Sequence, residues 1–135
     1  MIIETLLEGL PILVAQFFTA FALLGLGVSL YFILTPFDER RLVREGNVAA
    51  GVLMAGTLVA LAIPLAATLA STAYELDILI WGLVSLAIQL LGFVGVSRMI
   101  RGLRGMIEGG NVAVAILLVG MQLAIALLNA GAMAG

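Results

Sequence analysis

Few side chains in this sequence are equipped for chemistry. The charged ones are eight carboxylates (Glu4, Glu8, Asp38, Glu39, Glu45, Glu75, Asp77 and Glu108) and six arginines (Arg40, Arg41, Arg44, Arg98, Arg101 and Arg104). Histidine and cysteine are absent, which removes the usual ligands of zinc and haem and the thiolate nucleophile. No cofactor and no metal site is expected. Every carboxylate sits at the edge of an apolar stretch, so the sequence offers no buried base or nucleophile and no enzyme is expected. What remains are amides inside uncharged runs. Gln89 and Gln122 lie near the middle of theirs, where they can bond one another across a helix contact for roughly 0.6 to 2 kcal/mol. Gln16 and Asn129 lie nearer the outer boundary. With Thr57 and Ser85, the two central glutamines are also candidates to line a pore. A coupled transporter would carry an ionisable group at mid-membrane, and none is present.

The elements that hold these residues follow from composition. Of the 135 residues, 64% are hydrophobic and 10% charged, and mean hydropathy is +1.28; a soluble domain is about half apolar and a quarter charged. Four stretches without Asp, Glu, Lys or Arg run from Pro11 to Leu34, Val48 to Ala70, Ile78 to Ser97 and Val112 to Met133. At 1.5 Å per residue each can cross a hydrocarbon core about 30 Å thick. The fold class expected is an all-α membrane protein: four transmembrane helices as two helix hairpins, with short amphipathic cytoplasmic segments. Four spans fill about two thirds of the chain, leaving no room in it for a soluble domain. The start, MIIETLLEGL, lacks the basic stretch of a cleavable signal peptide, so the first span is expected to be retained.

Orientation follows from the arginines, which stay cytoplasmic in short loops. Arg40, Arg41 and Arg44 separate spans one and two; Arg98, Arg101 and Arg104 separate spans three and four. Glu4, Glu8, Glu75 and Asp77 fall on the other side. Both termini are therefore expected outside the cytoplasm. The arginines set topology and are candidate contacts for anionic lipid or a partner, each contributing about 1 kcal/mol near such a surface. Nothing points to nucleic acid.

Local signals mark the boundaries. Pro11 suits the first turn of span one. Thr35 as N-cap, Pro36 at the first position and Asp38 three residues after the cap predict a short helix over about Pro36 to Glu45, stopped by Gly46. In the second basic segment Met99, Leu103, Met106 and Ile107 fall at helical spacing, with Arg101, Arg104 and Glu108 opposite; this segment should lie at the headgroups or extend span three, bending at Gly102 or Gly105. Pro64 should kink span two. Trp81 and Tyr74 at one end, Tyr31 and Phe32 at the other, fit aromatic belts.

One phrase is written twice: EGNVAAGVLMAG at residues 45–56 and EGGNVAVAILLVG at residues 108–120. With a period of 64, Gly46, Asn47, Val48, Ala49 and Gly56 map onto Gly110, Asn111, Val112, Ala113 and Gly120. Asn47 and Asn111 are helix caps for the spans that follow, each removing a penalty of about 1 kcal/mol where water runs out. Ala49, Ala50, Gly51 and Ala55, and Ala113 and Ala115, let helix backbones approach closely. The chain reads as one integral membrane domain, 1–135, with repeat one about 1–73 and repeat two about 74–135. Two spans per copy mean both copies enter from the same side, related by a pseudo-two-fold along the membrane normal rather than by inversion.

The order TPFDERRLVREGNVAAGVLMAGTLVALAIPLA, WGLVSLAIQLLGFVGV, EGGNVAVA and LLNAGAM resembles the YjfL-like small bacterial inner-membrane proteins, domain of unknown function 350. The motifs Thr35-Pro36, Gly46-Asn47, Ile63-Pro64-Leu65, Gln89 and Asn129-Ala130 carry it, and the amino-terminal span matches in hydropathy alone. The resemblance implies a four-helix protein of the bacterial inner membrane in a membrane-maintenance setting, with no catalytic motif. The functional expectation is a structural or interaction platform without catalytic activity, self-associating, with a cytoplasmic membrane-remodelling partner. The alternative is an oligomeric channel or transporter for an ion or small solute.

Overall fold

The computed structural model describes residues 1–72 and 74–134. Among these the chain is all helix and turn: α1 (Ile2–Leu34), α2 (Glu39–Arg44), α3 (Val48–Ser71), α4 (Glu75–Met99), α5 (Leu103–Glu108) and α6 (Val112–Ala134). The long helices α1, α3, α4 and α6 are each long and apolar enough to cross a membrane. The boundary expected between the two repeats falls at Ala73, outside the described residues.

Packing follows the small residues. A Cβ on Gly56 of α3 would lie 2.4 Å from a Val119 methyl, so α3 and α6 meet where glycine leaves room. A Cβ on Gly82 would meet Leu23 at 2.6 Å and one on Gly27 would meet Leu86 at 2.8 Å, and the Tyr31 and Phe93 rings touch at 4.7 Å. These contacts rise together along both helices, so α1 and α4 run in the same direction. The hydroxyl of Ser71, near the end of α3, donates to the Met133 carbonyl near the end of α6, so those two helices also run together. Ala49, Ala50 and Ala115 are fully buried, whereas Ala55 and Ala113 face outward.

Several local expectations are corrected. Helix α1 starts at Ile2 rather than Pro11, which lies inside it. The residues before Pro11 are mostly good helix formers with Glu4 in the first turn, and they carry the helix on even though the proline cannot donate to the Leu7 carbonyl. At 33 residues the helix is roughly 50 Å long. The Thr19 hydroxyl bonds to the carboxylate of Glu75, the first residue of α4, so residues 2–18 run on beyond the start of α4. Thr35 closes α1 rather than capping α2. Its amide and hydroxyl both donate to the Tyr31 carbonyl, and Asp38 is the N-cap, accepting from the Arg41 amide. The short helix is therefore Glu39–Arg44. Helix α4 ends at Met99, and Gly102, at φ +73°, breaks the path before α5. That break disrupts the expected apolar face: Leu103 and Ile107 are buried, but Met99 is 77% exposed and Met106 lies at the surface. Gly105 sits inside α5.

Candidate functional site: the arginine-bearing end

The two short helices, α2 and α5, are held by the same turn. Gly46 and Gly110 take the left-handed conformation, at φ +84° and +82°, which glycine adopts without a Cβ clash. Gly46 N–H donates to Val43 and Asn47 N–H to Leu42; Gly110 N–H donates to Ile107 and Asn111 N–H to Met106. The side chain of Asn47 then caps α3 by accepting from Ala50 at 3.0 Å, and that of Asn111 caps α6 by accepting from Val114 at 3.2 Å. Asn47 does one thing more. Its amide donates to the Ile107 carbonyl at 2.8 Å and the Glu108 carbonyl at 3.3 Å, tying the start of α3 to the end of α5.

This turn fixes how α2 meets the bundle. Leu42 and Phe37 turn inward, and so does a carboxylate expected at the edge. Glu39 is 1% exposed. The expectation that no carboxylate is buried is therefore overturned: Glu39 lies three positions before Leu42, on the face that packs. Neither of its carboxylate oxygens has a hydrogen-bond partner, and neither does the hydroxyl of Tyr31. Tyr31 is itself corrected from an aromatic belt to the interior, at 1% exposed. It continues the inward stripe Leu23, Gly27, Tyr31 of α1. Burial pushes the Glu39 carboxyl up to about 7. A cleft of about 390 Å³ opens over this point, lined among others by Glu39, Phe37, Arg40, Arg41, Arg104 and Glu108.

The arginines remain at the surface. Arg104 pairs with Glu108 at 2.7 Å and Arg41 more loosely with Glu45 at 3.9 Å. Arg40 stacks over the Phe32 ring at 4.9 Å and Arg44 donates to the Arg40 carbonyl. Among the described residues Arg40, Arg44, Arg98 and Arg101 have no ion pair.

Deeper in the bundle, Gln89 and Gln122 come together, but not side chain to side chain. Gln89 Nε2 donates to the Gln122 backbone carbonyl at 2.9 Å. Asn129 Nδ2 donates to the Ser85 carbonyl at 3.0 Å. That leaves Gln89 Oε1, Gln122 Nε2 and Asn129 Oδ1 buried without a partner. Gln16 is half-buried on α1. Trp81 and Tyr74 are exposed at the far end, as belt residues would be. No trio of acidic side chains able to hold a metal ion occurs among the described residues.

A family model described as Domain of Unknown Function (DUF350) matches residues 5–133. The chain belongs to the DUF350 family. Two similar relatives are the UPF0719 inner membrane protein YjfL of Escherichia coli strain K12 and its counterpart in Escherichia coli O157:H7. Each is 31% identical over 128 residues, covering 95% of this chain and 97% of the relative. No solved structure matches. For a DUF350 chain the resemblance seen in the motifs from Thr35 onward thus extends through the amino-terminal span as well. Of the buried polar residues, Glu39, Tyr31 and Thr35 were expected at a boundary and Thr68 was not singled out. The signal was present in the period of 64, which sets Glu39 against Leu103, a residue that is 5% exposed.

Proposed function

We propose that this DUF350 protein is a non-catalytic platform of the bacterial inner membrane, presenting a basic cytoplasmic face to anionic lipid headgroups and to a soluble membrane-remodelling partner. The observation that carries this reading is the arginine end: six guanidiniums on α2, α5 and the approaches to them, of which two meet a carboxylate. The membrane assignment is supported by the relatives, which are inner membrane proteins, and the orientation by the rule that places arginines in the cytoplasm. Self-association is supported by the first half of α1, where Leu7, Leu13, Phe17 and Phe18 are all exposed and an exposed apolar surface calls for lipid or another chain. The test is a photo-crosslinking residue placed at Val43, on the exposed side of α2, in living cells. Capture of one cytoplasmic protein together with anionic lipid, lost in Arg40→Gln/Arg44→Gln, is expected. Reporter fusions that put the carboxyl end in the cytoplasm, or crosslinks to neutral lipid alone, would sink the reading.

A second reading, an oligomeric channel or transporter for an ion or small solute, is favoured by the unpartnered atoms of Gln89, Gln122 and Asn129, because buried polar atoms of that kind call for water. Solute flux through liposomes containing the protein, abolished by Gln89→Leu, would favour it over the platform.

A further inference from the structure

We propose that Glu39, together with Tyr31 and Thr35, forms a proton-binding site that latches the arginine-bearing segment 36–44 onto the bundle, closed when a proton is bound and released when it is lost. The inference goes beyond the platform reading and does not require it.

Glu39 is buried, both its oxygens lack hydrogen bonds, and the neighbouring Tyr31 hydroxyl is equally without a partner. A buried carboxylate needs a counter-charge or a proton. The guanidiniums at hand are engaged elsewhere: Arg40 over Phe32, Arg41 toward Glu45, Arg104 on Glu108. From α1 the group meets Tyr31 and, just past its end, Thr35, both uncharged; α3 adds the Thr57 hydroxyl beside Tyr31. From its own segment come Asp38, Arg40 and Arg41, and from α5 Arg104 and Glu108, all around the cleft.

The fold does not need a carboxyl here. At the matching register α5 buries Leu103 beneath an identical turn, so an apolar side chain would serve packing as well. The cleft supplies exchange with water, and its three arginines repel a metal cation, which leaves a proton as the neutralising species. A proton from cleft water adds to one carboxylate oxygen, and the O–H so formed can donate to the oxygen of Tyr31 or Thr35. Its loss returns it to water and leaves a charge that must reach solvent. The shortest route is a swing of the six-residue α2 between Pro36 and Gly46, which carries Leu42 out of the bundle. Burial holds the Glu39 carboxyl near neutrality, so the exchange falls in the physiological range.

The protein contains no cysteine, so Leu42→Cys provides a single thiol beneath the latch. In lipid nanodiscs the full chain should label roughly tenfold faster at about pH 8.5 than at about pH 6, beyond the thiol's own ionisation. In Leu42→Cys/Glu39→Gln the excess should vanish. Carbon-13 titration of the wild-type glutamates should show one carboxyl titrating near neutrality. Should the glutamine variant fail to fold, Glu39→Leu replaces it, since Leu103 shows that the register accepts leucine. An identical labelling profile with and without Glu39, or no glutamate titrating above the ordinary range, overturns the proposal. Protection restored at high pH by sodium or potassium alone overturns it too, in favour of a cation site.

Discussion

The connections α2–α3 and α5–α6 share a backbone and differ in what hangs from it. Both end a six-residue helix on a left-handed glycine, and both start the next span on an asparagine cap. Against that common frame stand three differences. The first connection buries Glu39 where the second buries Leu103. Asn47 reaches across to α5, while Asn111 is exposed and caps its own helix. Gly56 is pressed against Val119, whereas nothing lies within 4 Å of a Cβ on Gly120. Positions that the two connections share thus record what the membrane boundary demands of any helix end. Positions that diverge record what each hairpin does for the other.

The sharpest way to break the parallel is at the paired glycines. Gly56→Leu must push Val119, whose atoms lie 2.4 to 2.9 Å from the new Cβ; the α3–α6 contact then has to part, at a cost of about 3 kcal/mol or more. Gly120→Leu, with open space around it, should change stability by less than about 0.5 kcal/mol. Thermal unfolding in detergent, followed by Trp81 fluorescence, separates the two. Equal losses would show that the close approach at Gly56 contributes nothing.

Exchanging the buried residues of α2 and α5 comes next in size. In the folded state Glu39 holds its proton up to about pH 7, against 4.5 in the unfolded chain. The native state therefore binds more protons between those values, and stability falls as pH rises through that window. The loss is about 2 to 3 kcal/mol, limited by the free energy of releasing α2. Glu39→Leu should remove this slope, leaving the variant more stable than wild type at about pH 8 and little changed near pH 4.5. A wild-type unfolding temperature that stays flat between those limits would mean that the carboxyl is solvated.

Which of these features could be read in the sequence depends on where their causes lie. The four spans, the glycine stops and the asparagine caps were legible because uncharged length and backbone chemistry are local. Gly46 needs a positive φ and Asn47 meets orphan amides whatever surrounds them. The start of α1 was misread because Pro11 permits a helix start without compelling one. Tyr31 and Glu39 were misplaced for a different reason. An aromatic or a carboxylate near a boundary has two faces to choose from, and the choice is made by Phe93 and by the seating of Leu42, residues of other elements or of a later turn. Gln89 was expected to bond the side chain of Gln122, and its bond goes instead to the Gln122 backbone carbonyl. Residue type fixes what a glutamine can donate but not which acceptor the helix crossing presents.

The smallest test concerns the two caps. Asn111→Ala removes one bond, from Val114 at an exposed helix start, and should cost about 1 kcal/mol. Asn47→Ala removes the equivalent bond and also the amide contact to Ile107, leaving the carbonyl end of α5 without its donor. About 2 kcal/mol is expected there. Hydrogen exchange decides how the extra loss arises. If Asn47 couples the hairpins, its removal speeds exchange at Gly109 and Gly110, which close α5, as well as in the first turn of α3; Asn111→Ala should leave α2 and α3 as protected as before. Faster exchange confined to α3 would reduce Asn47 to a cap like its counterpart, and the asymmetry between the two connections would then rest on Glu39 and Gly56.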